Sequence, residues 1–503
     1  MSDVQKSIRT VFDLMCELYP GYYQRQSCEA IFVGLLTGKP ILLVGTHASW
    51  KSSKIMLIGK LFDKPVSVYR GELDDVEKVF DLAAALKVDG ELLMKNLLPH
   101  INVQYTQYSD RVHATVTVDS LFYPKADVDG WRRVDCRVPL TVFTKQLYPE
   151  IEAEDLLGYA IDHPALLGKK PPHAIKESRL SGADVIFIDE FFKGPKVTSA
   201  LHMAMNEKIV ETSVGPIRLD YLFFAAATNP LTSAYGSNVP ALYDIATMDR
   251  FIVSSYEVPP SVGEINLARE VWKRFDEQRM EKIPVELLYS ARREFASGNV
   301  PSEAIGFMAG LLAALSKCYF SPRQGQMASA ASDPFSIEKE CSVCVYDGST
   351  CSYGSISKTR PFLAFEDAVK IRGYLYGRSP STADVYYVLP MILQHRIKFS
   401  DKLTGNMFQN TLKIVREYSA VMSKSDKILA SVFEALKNRD FKTLLQIRNS
   451  VTDRTELKSL LDEFIEQRTT VFRAEGSPDK EDSLLGQDFY KMFCESISCF
   501  KAS

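Results

Sequence analysis

One segment limits the fold more than any other: Ile41-Leu-Leu-Val-Gly45-Thr46-His47-Ala48-Ser49-Trp50-Lys51-Ser52. Ile41 to Val44 is an apolar run of strand length, Gly45 opens a turn, and Ser52 to Phe62 reads as a helix. A strand that delivers a loop to a helix N-terminus turns successive backbone N–H groups toward an anion. Lys51 then reaches the β- and γ-phosphates of a nucleotide, and the Ser52 hydroxyl binds Mg²⁺. Gly45, Thr46, His47, Ala48, Ser49, Trp50, Lys51 and Ser52 are therefore candidate ATP-binding residues. Two positions depart from the phosphate-loop pattern. Trp50 stands where the pattern has glycine before the lysine, and Ala48 stands where related loops often have one. Glycine permits positive φ and close approach of phosphate, so a bulky Trp50 is expected to take a conformation that avoids that strain. An ordinary strand-loop-helix corner ending in Lys-Ser carries the same text, so the loop alone does not decide.

Three further signals follow in order. Val185-Ile-Phe-Ile188 is an apolar strand ending in Asp189-Glu190. There Asp189 would hold Mg²⁺ and Glu190 would orient and polarise an attacking water. Tyr221 to Ala227 reads as another strand, ending in Thr228-Asn229, whose amide can position the same water. Met248-Asp249-Arg250-Phe251 adds an arginine. Each has a bland alternative: solvated acids, a turn-forming Asn-Pro, a surface ion pair. Short apolar strands alternating with helices indicate a parallel α/β sheet. From Gly263 onward the pattern is mainly helical.

With these residues in place, the sequence resembles an AAA+ ATPase of the MoxR type, closest in pattern to the RavA-like branch. The resemblance rests on Glu154-Asp155-Leu-Leu-Gly158, Ala183 to Lys193, Ala200 to Glu207, Ala226 to Pro230, Ala241-Leu-Tyr-Asp with Asp249-Arg-Phe251, Lys358-Thr359-Arg360, Gly377-Arg378 and His395-Arg396. It implies an α/β AAA+ P-loop core, an all-α lid and a C-terminal helical region. The expected division is 1–64 and 137–257 for the core, 65–136 for an inserted subdomain, 258–400 for the lid, and 401–503 for the last helices. It also implies that Glu190, Asn229, Arg250 and Arg360 are catalytic, with Arg250 acting in trans on a neighbour's ATP and Arg360 in cis. A hairpin is expected at Tyr159 to Ala174, and another at Lys208 to Leu219 with Gly215-Pro216 at its tip. A trans arginine requires an oligomer, so a homo-oligomer is expected, a hexameric ring as in the family. The client would be a protein, in this family often one with a von Willebrand A domain.

The segment 65–136 interrupts the family pattern and reads either as a partner-binding module or as a tolerated insertion. Within 318–357, Cys318, Cys341, Cys344 and Cys351 fit a four-thiolate zinc clip; free thiols are the other reading. Nine cysteines in 503 residues, and no signal-peptide pattern, suit a cytoplasmic protein. No apolar run is of membrane-spanning length. A net charge of -3, without basic stripes interleaved with aromatics, argues against a nucleic-acid motor. Two functions remain: a Mg-ATP-driven remodelling ATPase, or a nucleotide-binding ring subunit with little or no hydrolysis. The Lys51, Ser52, Asp189, Glu190, Asn229, Arg250 and Arg360 set favours the first. Trp50 and Ala48 favour the second.

Overall fold

The computed structural model describes residues 1–73, 76–94, 98–108, 111–151, 182–212, 215–229, 245–275, 281–316, 354–355, 359–399, 407–422 and 440–450, with isolated positions 156, 180, 432, 435, 458, 461, 462 and 465. The expected hairpin at 159–174 and Cys318, Cys341, Cys344 and Cys351 lie outside the described residues.

Helices α1 (Asp3–Leu18) and α2 (Tyr22–Thr37) lead into β1 (Ile41–Gly45), the loop, and α3 (Lys51–Leu61). A long strand β2 (Phe62–Glu72) follows, then α4 (Val76–Leu86), α5 (Gly90–Met94), β3 (Ile101–Tyr108), β4 (Arg111–Asp119), β5 (Arg132–Pro139) and β6 (Val142–Gln146). The chain continues through β7 (Val185–Asp189), α6 (Pro195–Asn206), β8 (Ile209–Thr212), β9 (Gly215–Arg218) and β10 (Phe223–Thr228). Next come α7 (Ile245–Met248) and β11 (Val253–Glu257). Helices α8 (Val262–Arg274), α9 (Val285–Ala296), α10 (Ser302–Ser316), α11 (Thr359–Leu375) and α12 (Thr382–Leu393) make up the helical region expected to be a lid. α13 (Met407–Met422) and α14 (Phe441–Ser450) follow it.

β11, β1, β10, β7 and β6 form one parallel sheet in that order. β1 and β10 are buried along their whole length, as parallel strands covered on both faces must be. Leu42, Val44, Ile186, Ile188, Phe224 and Ala226 face one way, into a cluster shared with α6. Ile41, Leu43, Val185, Phe187, Phe223 and Ala225 face the other, into a cluster shared with α1, α2, α3 and the lid helices. The lid therefore has no separate core. The parallel register ends Gly45, Asp189 and Glu257 on the same edge, with Asn229 just beyond Thr228.

β2, β4 and β3 pair antiparallel, and β5 pairs the other side of β2. This second sheet packs α4 and α5 over Tyr69, Val103, Val116 and Trp131 as a core of its own. Between α4 and α5 the chain turns at Lys87, which has a φ of 58°. Residues 140–141 carry the chain from β5 in the second sheet to β6 in the parallel sheet. Lys64, Asp119, Asp184 and His100 fasten the second sheet to the root of β7. Lys64 Nζ lies 2.7 Å from Asp184 Oδ1 and 3.3 Å from Asp119 Oδ2. His100, Asp119 and Asp184 have the residue types of a metal site, but the Lys64 ammonium already sits where a cation would.

The hairpin at Lys208 to Leu219 is β8 paired with β9, Thr212 opposite Gly215. Gly215 and Pro216 belong to β9 rather than the tip, since Pro216 pairs with Glu211 inside the ladder. Among the described residues no helix is long and apolar enough to cross a membrane.

Candidate active site

The C-terminal edge of a parallel sheet is where ligands bind in open α/β folds, beside the strand at which the chain order reverses. β1 occupies that place here, between β11 and β10. Gly45 is required at its end. A Cβ there would lie 2.4 Å from Glu257 Cβ and 2.6 Å from Glu257 O. Thr46, His47 and Ala48 form the exposed crest of the loop, and Ser52 is exposed on the first turn of α3.

Ala48 and Trp50 both have a φ of 63°. Trp50 thus takes the left-handed conformation it was expected to avoid, at about 1–2 kcal/mol. Its side chain leaves the loop and packs on Tyr19, with ring centroids 5.5 Å apart; Tyr19 in turn meets Trp272 at 6.0 Å. Stacking of this kind is worth about 0.5–1.5 kcal/mol beyond burial, so it offsets much of the backbone cost. The loop keeps the backbone path of a glycine-bearing loop without the glycine.

Lys51 Nζ donates to Gly45 O and Thr46 O, both at 2.7 Å, and to Ser49 Oγ at 3.2 Å. The ammonium is held inside the curve of the loop. Burial lowers its pKa, opposed by the carboxylates of Glu257, Asp189 and Glu190. Asp189 is half-buried at the end of β7, and its Oδ1 accepts the Glu190 N–H at 2.9 Å. Glu190 is buried and left-handed, with φ 51°. That turn aims its carboxylate sideways at the end of β10, where Asn229 Nδ2 donates to Glu190 Oε1 at 3.0 Å. Lys193 Nζ lies 3.2 Å from the same oxygen. Lys51, Asp189, Glu190 and Asn229 are thus brought to one edge by three adjacent strands.

Sequence reasoning missed the layer beneath. Lys54, one turn after Lys51, is fully buried with Nζ 2.6 Å from Glu257 Oε2. It also donates to Ser27 Oγ at 2.8 Å, and Glu257 Oε1 accepts hydrogen bonds from Ser27 and, at 3.0 Å, from Ser255. The signal available was weak: Glu257 is a lone charge at the end of β11, whose sequence Val-Ser-Ser-Tyr-Glu is not apolar. Replacing Lys54 by methionine would strand a buried carboxylate under the loop and is expected to cost about 3–5 kcal/mol. Urea denaturation measures this; a loss below about 1 kcal/mol, the range of an exposed pair, would contradict the burial.

Arg250 and Arg360 are not at this edge. Ile252 N donates to Pro40 O at 2.8 Å, so the segment carrying Arg250 lies at the N-terminal end of β1. The length of β1, about 17 Å at 3.3 Å per residue, separates it from Gly45. Arg360 Nη1 sits 3.6 Å from Asp249 Oδ2 in that same region. Lys39, Asp249, Arg250, Arg360 and Arg396 line a cavity of about 230 Å³ there. Arg360 was expected to act in cis, but its helix α11 docks beside Arg250 and carries it to the opposite edge of the sheet from its own Lys51. Just past the end of α12, buried His395 seals the arrangement: its Nε2 donates to Phe251 O at 3.0 Å and its Nδ1 lies 2.8 Å from Ser254 Oγ. Burial and the Arg396 charge keep that ring neutral, so Nε2 carries the proton donated to Phe251 O and Nδ1 accepts from Ser254.

No family model matches the sequence, and no curated protein matches it. Among solved structures, a candidate ATPase from Cytophaga hutchinsonii aligns over 82% of this chain and 94% of its own, with a TM-score of 0.51 and 17% identity. A full-length MCM homologue from Methanopyrus kandleri aligns over 79% of this chain and 63% of its own, with a TM-score of 0.32 and 12% identity. The first likeness shows the fold, an α/β core with a central parallel sheet followed by helices; the second is too distant to carry an argument.

Proposed function

We propose that the chain is an ATPase that binds Mg-ATP at Gly45 to Ser52 and hydrolyses it at a site completed by a second copy of itself. The observation that carries this reading is the convergence of Lys51, Asp189, Glu190 and Asn229 on one sheet edge, with Glu190 held by Asn229 at 3.0 Å. The left-handed φ at Ala48 and Trp50 is the kind of backbone turn from which anion-binding loops are built. Lys51 would exchange its loop carbonyls for phosphate oxygens, which are stronger, charge-assisted acceptors. Ser52 and Asp189 would hold the Mg²⁺, which when bound neutralises phosphate charge. Glu190 would orient and deprotonate a water, and Asn229 fixes which way that carboxylate points. Arg250 and Arg360, on the opposite edge, would serve a neighbour's site. Both then act in trans.

We further read the chain as a MoxR-like cytoplasmic protein that works as a ring, hexameric by resemblance, on a protein client; 65–136 would be a surface module for that client or a partner. The alternative is a nucleotide-binding subunit with little hydrolysis, supported by Trp50 in place of glycine. Glu190→Gln distinguishes the two. The amide keeps the Asn229 contact but cannot take a proton, so the variant is expected to bind ATP while turnover falls by roughly 100-fold or more. Equal turnover in Glu190→Gln and the wild type, followed by phosphate release, would assign the water-activating role elsewhere. No measurable turnover in the wild type would favour the alternative.

A further inference from the structure

The pair His395-Arg396 just past the end of α12 is not used by the site as described, yet both side chains are buried and fully engaged in hydrogen bonds. Arg396 Nε donates to Asp249 Oδ1 at 2.9 Å. Its Nη1 donates to Ile252 O at 3.0 Å and to Ile392 O at 2.8 Å, and its Nη2 to Phe251 O. Gln394 Nε2 adds a bond to Ser254 O at 2.8 Å. Three consecutive lid residues therefore grip the backbone from Phe251 to Ser254, immediately after Arg250. The carboxylate of Asp249 divides its oxygens between two arginines. Arg396 is 2% exposed and Arg360 is 51% exposed. A buried guanidinium bonded to Asp249 and to three backbone carbonyls fixes geometry, whereas a half-exposed pair at 3.6 Å contributes little and yields readily. Arg396 is thus the anchor, and Arg360 is the arginine that remains available to a ligand. The other end of α12 is equally fixed. Asp384 receives Arg378 and Arg372, and Arg372 reaches Glu29 of α2. The helix is a strut held to the core at both ends.

We propose that Arg396 is a positioning residue: by holding Asp249 and the carbonyls of Phe251 and Ile252 from the lid side, it sets Arg250 and Arg360 together on the face offered to a second copy. The inference rests on the reading that these arginines act in trans, and goes beyond it by naming what aligns them. Lid and arginine segment then move as one body, so a change in lid position is delivered to the neighbouring site.

The test uses the full-length chain in two variants, Asp249→Asn and Arg396→Lys. The first keeps shape and removes the charge that both arginines share; the second keeps charge and loses the planar fork. Each is expected to bind ATP within about twofold of wild type and to turn over on the order of 100-fold more slowly, the size of effect that misplacement of a reacting group produces. Each is expected to regain turnover when mixed with Lys51→Ala subunits, whose arginine face is intact. Arg250→Ala mixed with Lys51→Ala is the control. If the control recovers and the two variants do not, Arg396 is structural and the inference is overturned. Wild-type turnover in Asp249→Asn overturns it too. If the control itself fails to recover, the shared-site reading falls, and the inference with it. Should Arg396→Lys not fold, Asp249→Asn alone decides between these results.

Discussion

Lys51→Ala is expected to abolish ATP binding at physiological concentrations. Lys51 is buried inside the loop and carries the charge closest to where phosphates would lie. Each charge-assisted hydrogen bond contributes about 1.5–3 kcal/mol. Losing two therefore weakens affinity on the order of 100-fold or more. The loop also loses the three bonds by which Lys51 ties Gly45, Thr46 and Ser49 together. Lys54 cannot substitute one turn later, because Glu257 and Ser27 hold it below the loop. Titration calorimetry reads the effect directly. Unchanged affinity in the variant would remove the nucleotide from this loop.

The parts of the chain that were legible in sequence share one property. β1, β7 and β10 are buried on both faces, so each is a short unbroken apolar run with a polar end, and the polar ends are the site. In the second sheet the alternation from Val112 to Val118 marks β4, but β2 and β5 carry no such pattern. In β2, Lys64 and Ser67 are buried through ion pairs and hydrogen bonds with Asp184 and Asp135, not through apolarity. In β5, most residues are exposed along an edge, so no alternation survives to be counted. Trp50 misled in another way. Its φ was judged from the side chain it carries, whereas the stacking on Tyr19, 31 positions earlier, supports the strain. Arg360 shows a limit of spacing. Its position after the lid's third helix is readable, but the edge of the sheet to which α11 brings it depends on pairs such as Arg360 with Asp249 and Lys39 with Asp367 that no local pattern contains. The same holds for Glu257, whose partner Lys54 lies 203 positions away.

Arg250→Ala is the second large effect. The variant is expected to bind ATP as the wild type does, since Arg250 lies a full strand length from its own Gly45, about 17 Å. Its turnover should fall by roughly three orders of magnitude, the range seen when a guanidinium that stabilises charge on the transferred phosphoryl group is removed. A purely structural Arg250 would instead lower thermal stability, with turnover falling only as folded protein is lost.

The shared site is the central claim, and subunit mixing tests it most directly. Arg250→Ala and Lys51→Ala chains, each inactive alone, are combined and steady-state phosphate release is followed as their ratio varies. Turnover is predicted to appear in the mixture and to peak near equal proportions, where an intact loop most often meets an intact arginine face. A mixture as inactive as its components, or a wild-type chain that hydrolyses ATP at full rate when diluted to a monomer, would contradict the account.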